Sequence, residues 1–255
     1  MTKINTNKKT SKFLTLFITI LCFGLCFSFA ELFSSLITVG GFNVIKNNAV
    51  TQTQFSLYAI SLYSCDTKVQ AKEMSEVTKR KGGAGYIWQT TQKYYILASC
   101  YENKTDAEKV CENLKSNSVS CEMITMEFDS MVISCTVVDQ EKNALEASVL
   151  SYKNLFKKLY DLSVSIDTNL YTEIQAKMYL SDIVSEFTKT KSNFETLFNS
   201  KLTSELLELK LSLANLNNIL QSLAEFSSSE VPYTSQVKNT YFQVLDEYKN
   251  ISKSL

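Results

Sequence analysis

The side chains that could act chemically in this sequence are cysteines, carboxylates and aromatic rings, since the chain contains no histidine. The absence of histidine removes the commonest general base, the Ser–His and Cys–His nucleophile pairs, and the usual zinc ligand. No CxxC pair occurs, and no motif places two carboxylates for acid–base work. We therefore expect a protein that is not an enzyme, with no catalytic residues, no metal site and no cofactor.

Aromatic rings are the remaining candidates for a ligand-binding surface, because a flat ring with a polar edge suits a sugar. Seven of them lie in three short segments with strand-like alternation: FSLYAISLY (55–63), GYIWQTT (85–91) and KYYILAS (93–99). The last two are separated by a short polar turn, which predicts a hairpin. A fourth segment, SVSCEMITMEF (118–128), is also typical of a strand.

Two helices are predicted between these strands. The first can be capped by Asp66 and Thr67 and would end at Gly82-Gly83, and the second would open at a capping box that begins at Thr105. The order βαββαβ with right-handed crossovers gives an antiparallel four-stranded sheet of spatial order 4-1-3-2, with both helices on one face. The fold class is therefore α+β.

The face of the sheet away from the helices is the candidate binding surface. Side chains alternate between faces along a strand, and a two-residue turn at Thr91-Gln92 would pair Trp88 with Tyr95. An exposed aromatic patch needs a functional reason, although the same rings could instead pack under the C-terminal helices. The residues predicted to point to this face and to contact a glycan are Ser61, Tyr63, Tyr86, Trp88, Tyr95 and Leu97.

This arrangement resembles the SPOR domain, the sporulation-related repeat of bacterial division and cell-wall proteins. The resemblance rests on Tyr58–Ser64 (YAISLYS) and Tyr94–Ser99 (YYILAS), each followed by a short turn and a helix that contains Ala71 or Ala107. Tyr63 and Ser99 stand where that family usually has glycine. The resemblance covers residues 55–128 and implies binding to peptidoglycan glycan strands, particularly strands stripped of their stem peptides at division sites.

A membrane segment is predicted near the N-terminus. The uncharged run from Phe13 to Ala30 is long enough to nearly span a bilayer, and the lysines before it predict a cytoplasmic N-terminus. The alternative is a cleaved signal peptide, for which Ser28-Phe29-Ala30 is an acceptable cleavage site. The first interpretation gives a single-pass protein of the cell membrane, and both place the later residues outside the cytoplasm. The RRM type of RNA-binding sheet has the same strand order, but export and a net charge of zero argue against nucleic acid.

The sequence pattern changes near residue 140: residues 141–253 contain no glycine and have continuous helical periodicity. Leucines between Leu202 and Leu223 recur at spacings of three and four, and four such segments predict an antiparallel four-helix bundle. The leucine-rich helix could alternatively pair with another chain or a second copy. The predicted organisation is a cytoplasmic tail and transmembrane anchor (1–45), a linker (46–54), a SPOR-like domain (55–128), a connector or added edge strand (129–140) and the bundle (141–255).

One disulfide is predicted, between Cys65 and Cys121, because the first and fourth strands are neighbours and both cysteines fall at the same end of the sheet. Export permits its oxidation. The odd number of cysteines after the membrane segment argues against a complete disulfide framework, and small buried thiols are the alternative. These cysteines are Cys65, Cys100, Cys111, Cys121 and Cys135.

Two functions remain open from the sequence. The first is a membrane-anchored protein whose SPOR-like domain binds peptidoglycan glycan strands during cell division or sporulation. The second is a structural or assembly protein, in which the sheet and the bundle mediate protein–protein contacts at the cell envelope.

Overall fold

The computed structural model describes residues 49–135, 139–200 and 202–255, which all belong to one compact unit. The predicted cytoplasmic tail and transmembrane segment lie outside these residues, as do Cys22 and Cys26. Among the described residues, no helix is both long and apolar enough to cross a bilayer.

The described residues form an α+β fold with an antiparallel four-stranded sheet, as predicted. The four strands lie in the order β3-β4-β2-β5, which is the predicted order, and a separate two-stranded sheet pairs β1 with β6. The strands are β1 (Ala49–Gln52), β2 (Phe55–Cys65), β3 (Tyr86–Gln89), β4 (Tyr94–Tyr101), β5 (Glu122–Phe128) and β6 (Met131–Ser134).

Two helices, α1 (Lys68–Arg80) and α2 (Lys104–Ser116), pack on one face of the larger sheet. The Thr67 side chain accepts a hydrogen bond from the backbone of Gln70 and so caps α1. At α2 the cap is Asn103, which accepts from the backbone N–H of Thr105, so this helix begins earlier than the capping box suggests. Apolar residues of both helices then meet the sheet: Ala71 packs with Ile96, and Ala107 with Ile60.

Four long helices follow: α3 (Asp139–Asp167), α4 (Glu173–Phe198), α5 (Ser204–Ala224) and α6 (Tyr233–Ser254). Each packs against the next and α6 packs against α3, which closes a four-helix bundle with short connections. The predicted leucine stripe on α5 faces the inside, because its members from Leu206 to Leu223 are at most 2% exposed: Leu206, Leu209, Leu213, Leu216, Leu220 and Leu223. These leucines therefore pack inside the bundle of this chain.

The segments on either side of the predicted SPOR-like domain are not simple linkers. Ala49–Gln52, which we assigned to the linker 46–54, forms β1, and the connector 129–140 contains β6. The two strands pair antiparallel with each other and are not added to the four-stranded sheet. Met131 and Ile133 are buried while Val132 is 43% exposed, so alternation places one side of this small sheet on the core.

The sheet and the bundle share one hydrophobic core. Leu57, Leu97 and Phe128 from the sheet belong to the same buried cluster as Tyr152 and Tyr248 from the bundle. The predicted boundary between residues 128 and 141 therefore marks a change in secondary structure but does not separate two independent cores.

Candidate binding site

The predicted aromatic row forms on the sheet with the expected register. Trp88 pairs with Tyr95 and Tyr86 pairs with Leu97 across the β3–β4 hairpin. Thr90 and Lys93 close the hairpin, since the backbone N–H of Thr90 donates to the carbonyl of Lys93 at 2.9 Å. The three rings Tyr86, Trp88 and Tyr95 all pack against the core shared with the bundle.

The aromatic row is only partly open to solvent, because helix α6 packs against it and Tyr86, Trp88 and Tyr95 are half-buried. The Tyr86 ring stacks on Phe242 with centroids 5.3 Å apart and planes 18° apart. The Lys249 ammonium lies 3.7 Å from the centroid of the Trp88 ring, a cation–π contact. Burial lowers the pKa of Lys249. The alternative interpretation, packing beneath the C-terminal helices, is the arrangement that the structure shows.

The other three predicted contact residues are buried or lie on the helical side of the sheet. Leu97 is fully buried, and Ser61 is 1% exposed with its hydroxyl donating to the carbonyl of Tyr63 at 2.9 Å. Tyr63 lies with Ala71 of α1, on the helical side of the sheet. The cause is a register shift between Ser61 and Tyr63, where an extra residue in β2 interrupts the alternation of side chains. The structure therefore does not bring the six predicted residues onto one open face.

Helix α6 is also fixed to the turn that follows α1. The Lys238 ammonium donates to the carbonyl of Gly82 at 2.9 Å, and the Asn239 amide donates to that of Ala84 at 3.0 Å. The Ser235 hydroxyl donates to the carbonyl of Gly83, the residue between Gly82 and Ala84. At Gly83 a Cβ atom would stand 2.7 Å from the Thr78 methyl group, so the close approach of this turn needs glycine. Three successive carbonyls of the sheet part are thus satisfied by side chains of the bundle.

An open cleft of about 250 Å³ lies where the sheet part and the bundle meet. Its walls come from both parts: Tyr101 ends β4, and Tyr160 and Asp167 belong to the last turns of α3. We call it the junction cleft. Its lining includes Ile60, Leu62, Lys81, Gly82, Gly83, Ala98, Ser99, Tyr101, Val110, Leu114, Tyr160, Ser163, Val164, Asp167, Lys238 and Tyr241.

An ion pair stands at one side of the junction cleft. The Lys238 ammonium lies 2.6 Å from Asp167 Oδ2, and the Thr234 hydroxyl donates to Asp167 Oδ1 at 2.7 Å. The Lys238 side chain is 12% exposed and the Asp167 side chain 41% exposed. A half-exposed carboxylate with four lone-pair sites can accept further hydrogen bonds beyond these two.

Two tyrosines supply aromatic surface and hydroxyl groups to the junction cleft. The rings of Tyr101 and Tyr160 meet edge to face, with centroids 6.3 Å apart and planes 80° apart. Burial raises the pKa of Tyr160 to about 12 and also raises the pKa of Tyr101. Both hydroxyls are therefore protonated near neutral pH and can donate hydrogen bonds.

The predicted Cys65–Cys121 disulfide is wrong, and Cys121 is instead bonded to Cys111 of α2 with Cα atoms 5.5 Å apart. In the β2–β5 register Ser61 pairs with Glu122, which places Cys121 beside Leu62. Cys65 lies three residues further along, about 10 Å away at the usual strand rise of 3.3 Å per residue. Cys65 and Cys100 are free and buried, and burial raises the pKa of both thiols.

Within the described ranges no group of three histidine, cysteine, aspartate or glutamate side chains is placed to hold a metal ion. No family model, no curated protein and no solved structure matches the chain. The sequence did not point to the junction cleft, because its lining is assembled from residues about 180 positions apart, from Ile60 to Tyr241. Of its lining, only the helix end at Asp167 and the Gly82-Gly83 turn were indicated by neighbouring residues in the sequence.

Proposed function

We propose that this protein is a membrane-anchored, extracytoplasmic binding protein that recognises peptidoglycan glycan strands during cell division or sporulation, without catalysis. The observation that carries the proposal is the strand order β3-β4-β2-β5 with α1 and α2 on one face. This is the topology expected from the SPOR resemblance, and the two strand–helix units that build it carry the quoted tyrosine-rich segments.

The disulfide supports the extracytoplasmic location. Cys111–Cys121 joins two neighbouring elements of the SPOR-like part, and such bonds persist in oxidising compartments. If the predicted anchor ends at residue 45, only residues 46–48 separate it from the start of β1. Three residues reach at most about 11 Å, so the folded part would work close to the membrane surface.

The proposal is tested by co-sedimenting the full-length chain, held in lipid nanodiscs, with purified sacculi. We expect binding, and stronger binding after an amidase has removed the stem peptides. A nanodisc preparation without protein and an unrelated nanodisc-embedded membrane protein are the controls. Failure of the full-length chain to sediment with either kind of sacculus would refute glycan recognition.

A second function, assembly at the envelope through protein contacts, is favoured by one observation. Ile174 and Met178, four residues apart in the first turns of α4, are 74% and 67% exposed, and Leu170 in the loop before α4 is 68% exposed. Apolar side chains in such a row are typical of a surface that contacts another protein. Sedimentation velocity distinguishes the two functions: a monomer at every concentration, together with sacculus binding, would exclude assembly by self-association.

A further inference from the structure

We propose that the junction cleft is the glycan site and that it holds one sugar ring carrying a free carboxylate. This inference rests on the proposed function and names the place and the ligand group through which that function would work. It differs from the sequence-based expectation, which put the glycan on the aromatic row of the sheet.

The aromatic row is a poor site because it belongs to the core. Ala59 and Leu97 are fully buried on that face, and Phe128 is 2% exposed. A glycan could reach these residues only if α6 moved away, which would return the shared core to water at about 25 cal/mol per Å² of apolar surface. The contacts of α6 with Gly82, Gly83 and Ala84 oppose the same movement.

The junction cleft is open to solvent, whereas the rings of the aromatic row are half-buried against the bundle. Its volume of about 250 Å³ lies below the roughly 300–1,000 Å³ of sites for drug-sized ligands. That size suits one pyranose ring. Tyr101 and Tyr160 offer ring surface for the apolar face of a sugar, and their hydroxyls can donate to its oxygens. The Asp167 carboxylate can accept from sugar hydroxyl or amide groups.

One cation in the lining of the junction cleft is free to pair with an anionic sugar. The Lys238 ammonium is already paired with Asp167, whereas Lys81 forms no ion pair with any described residue. Lys81 is exposed at the end of α1 and can turn its ammonium toward a ligand. In peptidoglycan the lactyl carboxyl of every second sugar is bound to the stem peptide as an amide. Removing the peptide frees that carboxylate, which supplies the anion.

Two substitutions test the site in the full-length chain. Val164→Trp places a large ring in the cleft from a position that is 40% exposed, so we expect at least about a tenfold loss of affinity for amidase-treated sacculi. The matched control is Val69→Trp on α1, where valine is 69% exposed and lies outside the cleft. Its affinity should equal that of the wild type.

Lys81→Gln tests the ligand's charge with little risk to folding. We expect it to abolish the preference for amidase-treated over intact sacculi, whereas Lys72→Gln, on an exposed face of α1, should keep it. If the wild type binds sacculi and both Val164→Trp and Lys81→Gln bind as the wild type does, the cleft is not the site but the proposed function stands. If the wild type binds no sacculi, the proposed function and the cleft inference both fail.

Discussion

Replacing Tyr248 by alanine should lower the free energy of unfolding by about 3–5 kcal/mol, the usual cost of removing a buried aromatic ring. Tyr248 is 1% exposed and its ring lies 5.2 Å from that of Phe55 and 5.9 Å from that of Tyr152. Its hydroxyl donates to the backbone carbonyl of Asp129 at 2.8 Å. One side chain of α6 thus contacts the sheet, the loop after β5 and another bundle helix. Urea denaturation measures the loss.

Two control variants separate the contribution of the buried Tyr248 ring from that of its hydroxyl and from the effect of removing a more exposed tyrosine. Tyr248→Phe removes only the hydrogen bond to Asp129 and should cost about 1 kcal/mol. Tyr179→Ala removes a tyrosine that is 37% exposed on α4 and should change stability by no more than about 1 kcal/mol. A cost for Tyr248→Ala as small as that for Tyr179→Ala would show that the sheet and the bundle do not share a core.

Removing the Cys111–Cys121 disulfide should cost about 2.7 kcal/mol on the chain-entropy model. The bond joins cysteines ten positions apart and so restricts a short loop of the unfolded chain. The double variant Cys111→Ala/Cys121→Ala should show this loss and should no longer respond to a reductant. The control is Cys135→Ala, which removes a partly exposed free thiol and should keep the response.

Alkylation followed by peptide mass analysis checks the pairing directly. In the native protein Cys111 and Cys121 should resist labelling until a reductant is added. Cys65 and Cys100 should label slowly, because their thiols are buried and their raised pKa values keep the thiolate fraction low. Rapid labelling of Cys111 and Cys121 without reductant would contradict the assignment.

The four strands of the larger sheet and the six helices were predictable from the sequence because each carries a local signal, whereas β1 fell in the predicted linker. The leucines of α5 repeat with the helical period, and the breaks between bundle helices coincide with polar caps such as Thr172, whose side chain forms a capping box with Gln175. The pairing of Trp88 with Tyr95 followed from the length of the hairpin turn. These features depend on residues a few positions apart.

The features that the sequence did not predict depend on distant residues or on one irregular position. The extra residue between Ser61 and Tyr63 placed Tyr63 on the helical side, and nothing in the alternation around it signals that shift. The cover of Trp88 by Lys249 joins residues more than 150 positions apart. Both errors concern the predicted glycan-binding face of the sheet, because the exposure of that face depends on which distant elements pack on it.

The most direct test of this account is to unfold the full-length protein in urea with two probes, because its central claim is that the bundle covers the aromatic row as part of one folded unit. Trp88 is the only tryptophan in the chain, so its fluorescence reports the contact between sheet and bundle. Far-ultraviolet circular dichroism reports mainly the helices. We expect both signals to change with one midpoint and one slope. A fluorescence transition at clearly lower urea, with the helical signal intact, would show that the sheet face opens independently and would contradict it.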